Sequence, residues 1–85
     1  MTRFRVRAGR VLRGPGGQPS LMVLVEQPAL SDTLAQMTCN ALAAQHASRE
    51  GLLLVGAQDL ASGQLCEMRV YRGEALVWHN GEVVG

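Results

Sequence analysis

The chain has 85 residues, 47% of them hydrophobic, and a formal net charge of +1. That length holds one domain over residues 1–85 and excludes a deep core, because a chain of this size buries only about 60–65% of the surface its unfolded form exposes. All eight basic residues are arginines, which excludes chemistry that needs a lysine amine.

The charge is unevenly laid out. Residues 1–31 hold five arginines against Glu26 alone, a balance of +4, and residues 32–85 hold three against six carboxylates, a balance of −3. Such a split marks either an interaction surface or two segments that pair with each other.

Residues 2–13 alternate, with Phe4, Val6 and Ala8 on one side and Arg3, Arg5 and Arg7 on the other. Period-two alternation predicts a half-buried strand. A glycine at position 9 reads as a bulge that breaks the phase, turning Val11 inward and Arg10 outward. The expected result is a row of four arginines, Arg3, Arg5, Arg7 and Arg10, on one open face.

Residues 14–20, Gly-Pro-Gly-Gly-Gln-Pro-Ser, form a hairpin tip by composition. They lack the Gly-Lys-Ser/Thr ending of a phosphate-binding loop and the third glycine of a dinucleotide fingerprint, so they do not read as a phosphate cradle. Residues 21–25 form an uninterrupted apolar strand, which Pro28 is expected to stop.

The helix is expected over residues 30–50. Ser31 or Asp32 suits its cap, since a short side-chain oxygen can accept from unpartnered N–H groups of the first turn. Leu30, Leu34, Met37, Ala41 and Ala44 recur at steps of three and four and define the expected buried stripe, widened by Leu42. Arg49 suits the carbonyl end of the dipole, and Gly51 a left-handed stop.

Residues 51–57 are apolar on both faces. Residues 64–71 alternate, with Cys66, Met68 and Val70 on one side and Glu67, Arg69 and Tyr71 on a side expected to be solvated. Arg72-Gly73-Glu74 is a tight turn, and residues 75–79 a further strand. Asn80-Gly81 is a strong hairpin signal, because both turn residues tolerate positive φ; it folds residues 82–84 back as a short edge.

This order predicts an α+β fold: an antiparallel sheet of about five strands in ββαβββ order, with one helix packed on one face. Residues 21–25, 52–55 and 76–78 are apolar on both sides, whereas one helix covers one face. The second face therefore calls for closure into a partial barrel or for a partner, most simply a second copy.

No catalytic or metal constellation emerges. Cys39 and His46 share a helix face but are separated by about 10 Å along the axis. Neither they nor Cys66 and His79 match a zinc spacing, and no serine sits in a nucleophile elbow. The two cysteines make no disulfide framework and read as small buried hydrophobes.

The expectation is therefore a non-enzymatic protein-interaction module without cofactor or metal, of the accessory or inhibitor type found in a bacterium or mobile element. It associates as a homodimer or with another protein through an apolar sheet face. Its expected partner-binding residues are Arg3, Arg5, Arg7, Arg10, Tyr71 and Trp78. The alternative is a nucleic-acid-binding protein that sets Arg3, Arg5, Arg7 and Arg10 on phosphates. The near-zero net charge and the lack of aromatics on the arginine face weigh against it. No apolar run approaches the roughly 18 residues of a membrane helix. The Arg-rich start has no signal-peptide core, so a soluble, cytoplasmic location without membrane association is expected.

Overall fold

The computed structural model describes residues 3–84. The elements are β1 (Phe4–Arg13), β2 (Pro19–Ala29), α1 (Asp32–His46), β3 (Leu52–Asp59), β4 (Leu65–Arg72), β5 (Ala75–His79) and β6 (Glu82–Val83), with one 3-10 turn at Pro15–Gly17 inside the first hairpin. Thr2, expected to open the first strand, lies outside the described residues.

The strands form one six-stranded sheet in the order β2-β1-β3-β4-β5-β6, and every neighbouring pair is antiparallel. This is the expected α+β arrangement with one strand more than five. The extra strand is the short return after Asn80-Gly81, whose φ values of 48° and 95° are those of a hairpin turn with both central residues left-handed. β2 and β3 flank β1, so both run opposite to it and parallel to each other. Helix α1 supplies the crossover that such a pair requires.

Pro28 does not stop β2. The strand continues to Ala29, with Pro28 opposite Arg5. β2 is an edge strand, and an edge tolerates the missing N–H because one side of it has no ladder to complete.

The helix begins where Ser31 caps it: its hydroxyl oxygen accepts from the Leu34 N–H at 3.2 Å. It ends at His46, short of residue 50. Its buried face is Ala35, Cys39 and Leu42, while Leu30, Leu34 and Met37 stand 62%, 45% and 60% exposed and Ala41 and Ala44 are exposed too. Of the expected stripe only Leu42 is buried; the rest faces solvent. This helix carries two apolar stripes, so spacing alone does not set its phase; the small Ala35 and Cys39 do, by letting the helix axis approach the sheet closely. Under them lie Phe4, Val6 and Ala8 of β1, Leu53, Val55 and Ala57 of β3, and Ala29 of β2. Each large apolar side chain buried here contributes about 1.5–3 kcal/mol.

The phase of β1 also differs from expectation. The strand runs in step with β3 without interruption, from Phe4 opposite Asp59 to Val11 opposite Leu52. The irregularity is in β2: Ala8 faces Val25 and Gly9 faces Val23, leaving Leu24 as the extra residue. Arg10 therefore keeps the phase of Phe4, Val6 and Ala8 and points beneath the helix, not outward. The row of four arginines is a row of three.

In β4 the alternation holds, but its sense is reversed. Glu67, Arg69 and Tyr71 pair with Ala57, Val55 and Leu53, which places them on the helix side. Glu67 is only 4% exposed. The physical reason is that α1 lies over β1 to β3, so its polar flank rather than open water faces β4. Among the described residues, no helix is long and apolar enough to cross a membrane.

Candidate functional site

Antiparallel partners point to the same face, so the register lays out the side of the sheet away from the helix. One row crosses every strand: Val23 on β2, Gly9 on β1, Leu54 on β3, Val70 on β4, Trp78 on β5 and Val83 on β6. Next to it lies Leu21, Val11 and Leu52 on one flank and Met68 on the other. No element of the described chain lies over this face. Leu21, Val23 and Leu65 are 59%, 58% and 62% exposed.

The face has a notch of about 200 Å3, walled by Leu21, Val23, Leu65 and Met68. It exists because Gly9 and Gly56 have no side chains at its floor; a Cβ on Gly9 would come within 2.9 Å of Leu21 Cδ1. Arg5 and Arg7 line its mouth.

These arginines are not bare. Arg5 and Arg7 both pair with Glu26, at 3.2 and 2.7 Å, and Arg3 approaches Asp59 at 3.8 Å. Arg5 and Arg7 share one carboxylate within the first part of the chain, and Arg3–Asp59 is the pair that joins the basic part to the acidic part. Each exposed pair is worth about 0.2–1 kcal/mol, enough to hold register on one strand but little more.

The six residues singled out in the sequence divide between the faces. Arg3, Arg5, Arg7 and Trp78 belong to the open face. Arg10 and Tyr71 belong to the helix side. Arg10 is 9% exposed and donates from its two terminal nitrogens to the carbonyl oxygens of His46, at 2.5 Å, and Glu50, at 3.0 Å. It satisfies carbonyls that the end of a helix leaves without partners, so it acts as a clamp on the chain rather than a surface contact.

Tyr71 takes part in a polar network that the sequence reading missed. Arg69 donates to Asn40 Oδ1 at 2.5 Å, Gln36 Oε1 at 2.8 Å and the Tyr71 hydroxyl at 3.3 Å, and lies 3.4 Å from Glu67. Glu67 also bonds to the ring of His79. Burial pushes the Glu67 carboxyl up, but hydrogen bonds from Gln36 and His79 and the nearby Arg69 outweigh it, and the net shift is below the usual carboxylate range. Alternation already puts Glu67, Arg69 and Tyr71 on one side of β4, and register adds His79; what spacing does not announce is that Gln36 and Asn40 face them, which the helix phase decides. The network ties α1 to β4 and β5.

Cys39 is buried on the sheet side of α1, as expected, whereas Cys66, also expected to be buried, is exposed because it is the extra residue of the β4 bulge; both are unbridged. Burial pushes the Cys39 thiol up, with Arg69 lowering and Glu67 raising it further, so it stays protonated near neutrality and is a poor nucleophile. Among the described residues, no three His, Cys, Asp or Glu side chains gather as metal ligands. The chain matches no protein-family model, no curated protein and no solved structure.

Proposed function

We propose that this protein is a non-enzymatic interaction module whose open sheet face binds a second copy of itself. The observation that supports this most is the row from Val23 to Val83, which presents apolar side chains on every strand but β1, where Gly9 leaves the notch. A sheet with one wet face normally alternates apolar and polar residues, whereas residues 21–25, 52–55 and 76–78 of this one are apolar on both sides.

The dimensions suit a dimer. Six strands about 4.8 Å apart span about 24 Å, and three rows of side chains along the strands about 20 Å. Two such footprints bury about 1,000 Å2 in total, the lower bound for a specific interface. A two-fold contact brings the same patch against itself, and this patch carries both signs of charge, with Glu26 beside Arg5 and Arg7. Trp78 is the natural anchor, since tryptophan is enriched where interfaces concentrate their energy. The two unbridged thiols suit a reducing, cytoplasmic setting.

Sedimentation equilibrium at tens of micromolar tests the reading. The expected mass is twice the 9.1 kDa of the chain, and it should change little between low and high salt because the contact is apolar. A monomer mass under both conditions would refute self-association.

A further inference from the structure

The arginines have very unequal surroundings. Of the eight, Arg3, Arg5 and Arg7 sit against carboxylates, Arg10 against carbonyls and Arg69 in its network. Arg13, Arg49 and Arg72 have no carboxylate within 4 Å among the described residues. These three come from the end of β1, the segment after α1 and the end of β4, yet they line one cavity of about 520 Å3. No acidic side chain lines it; its other walls include Val11, Leu12 and Leu52. Glu74 lies in the adjoining cavity, which Arg49 and Arg72 also border.

From this convergence we infer an oligophosphate-binding site at this end of the sheet, formed by Arg13, Arg49 and Arg72. Guanidinium groups match phosphate oxygens with paired donors. Leu52 lies beside Val11, and Arg72 extends the β4 ladder past Tyr71, which faces Leu53. Neighbouring strands are about 4.8 Å apart, so Arg72 and Val11 lie about 10 Å from each other, and Arg13 is two residues beyond Val11. That separation suits a ligand with several phosphates in succession rather than a single one, since phosphates along one strand repeat on a scale of about 3.4–7 Å.

The site is held before any ligand arrives. Arg10 clamps the carbonyls on both sides of Arg49, at His46 and Glu50. Gly51, at φ +64°, packs so tightly that a Cβ would fall 2.1 Å from the Val11 carbonyl oxygen. The segment carrying Arg49 is thus fixed against β1, while the three guanidinium-bearing residues are themselves exposed.

Calorimetric titration with sodium tripolyphosphate, and separately with a single-stranded oligonucleotide, tests the site. Tripolyphosphate should bind wild type, and Arg49→Gln and Arg72→Gln should each weaken it at least tenfold. An Arg3→Gln/Arg5→Gln variant, which removes charge at the opposite end, should bind as wild type. If the oligonucleotide also binds, its affinity should fall about 15–20-fold between 50 and 200 mM salt, as expected for three phosphate contacts on a single strand; the ligand is then a nucleic-acid backbone. If only tripolyphosphate binds, it is a small oligophosphate. No binding of either probe at 1 mM, or equal losses in the Arg3/Arg5 variant, would overturn the assignment. Melting temperatures of Arg49→Gln and Arg72→Gln should match wild type, which separates lost binding from lost structure.

Discussion

Arg10 Nη2 donates to the carbonyl oxygen of His46 at 2.5 Å, joining a residue in the middle of β1 to the last residue of α1. With the second bond to Glu50 at 3.0 Å, one buried guanidinium fixes where the helix ends and how the chain turns into β3. Each hydrogen bond from a charged donor contributes about 1.5–3 kcal/mol, and the loss of both leaves two part-buried carbonyls without this partner. Replacing Arg10 by Met, which keeps the stem but not the donors, should destabilise the fold by about 2–4 kcal/mol and lower Tm by roughly 10–20 °C. Arg13→Met, on an exposed side chain, should change stability by less than about 0.5 kcal/mol. Urea unfolding of the pair of variants checks both figures.

Gly51 and Gly63 contrast in the same way. Both have positive φ, +64° and +75°, but the space around Gly63 is open and Gly51 abuts the Val11 carbonyl oxygen. Alanine at Gly63 should cost about 1 kcal/mol for the left-handed backbone alone. Alanine at Gly51 adds a clash with backbone that cannot rotate away, and should cost clearly more, with reduced soluble yield as the first sign. Equal melting points for the two variants would contradict the close approach.

Stability should respond to acid through Glu67. Its folded-state pKa is lowered from 4.5, so the unfolded chain binds the proton more readily than the folded one. The stabilisation is therefore complete above about pH 4.5 and is lost as pH falls through the lower folded value. In Glu67→Gln this contribution disappears. The variant should be less stable than wild type at pH 7, and the gap should narrow on acidification below pH 4.5. Thermal melts at pH 7, 4.5 and 3 measure it; a gap that widens in acid contradicts the assignment.

The phase of the helix is open to a direct comparison. Leu42 is 1% exposed and Leu34 is 45% exposed. Leu42→Ala should cost about 2–4 kcal/mol, the range for a buried leucine that leaves a cavity, and Leu34→Ala less than about 1 kcal/mol. The stripe read from apolar spacing would require Leu34 to be the costly one as well.

These residues show where the sequence is legible. The alternation of Phe4, Val6 and Ala8 and the Asn80-Gly81 turn each have one local physical solution, the helix start is legible to within Ser31 or Asp32, and the architecture follows from them. The helix phase does not, because Leu34, Met37, Ala41 and Ala44 form as good an apolar stripe as Ala35, Cys39 and Leu42. Close packing chose the smaller residues. The same holds for Gly9: glycine at a strand phase break is a fair sign of a bulge, but here the extra residue is Leu24 in the partner strand, and that decides the direction of Arg10. Polarity misled at β4 as well, since Glu67 and Arg69 look like a solvated face until Gln36 and Asn40 are placed over them. The open face, by contrast, was readable from the two-sided apolar runs alone.

Two apolar surfaces remain in contact with solvent, the sheet face and the outer stripe of the helix, and one measurement distinguishes them. Val23 is 58% exposed on the sheet face and Leu34 is 45% exposed on the helix, so aspartate at either site is compatible with folding. In sedimentation equilibrium at tens of micromolar, Val23→Asp should run as a 9.1 kDa monomer while Leu34→Asp remains a dimer. A dimeric Val23→Asp beside a monomeric Leu34→Asp would contradict the account and move the interface to the helix.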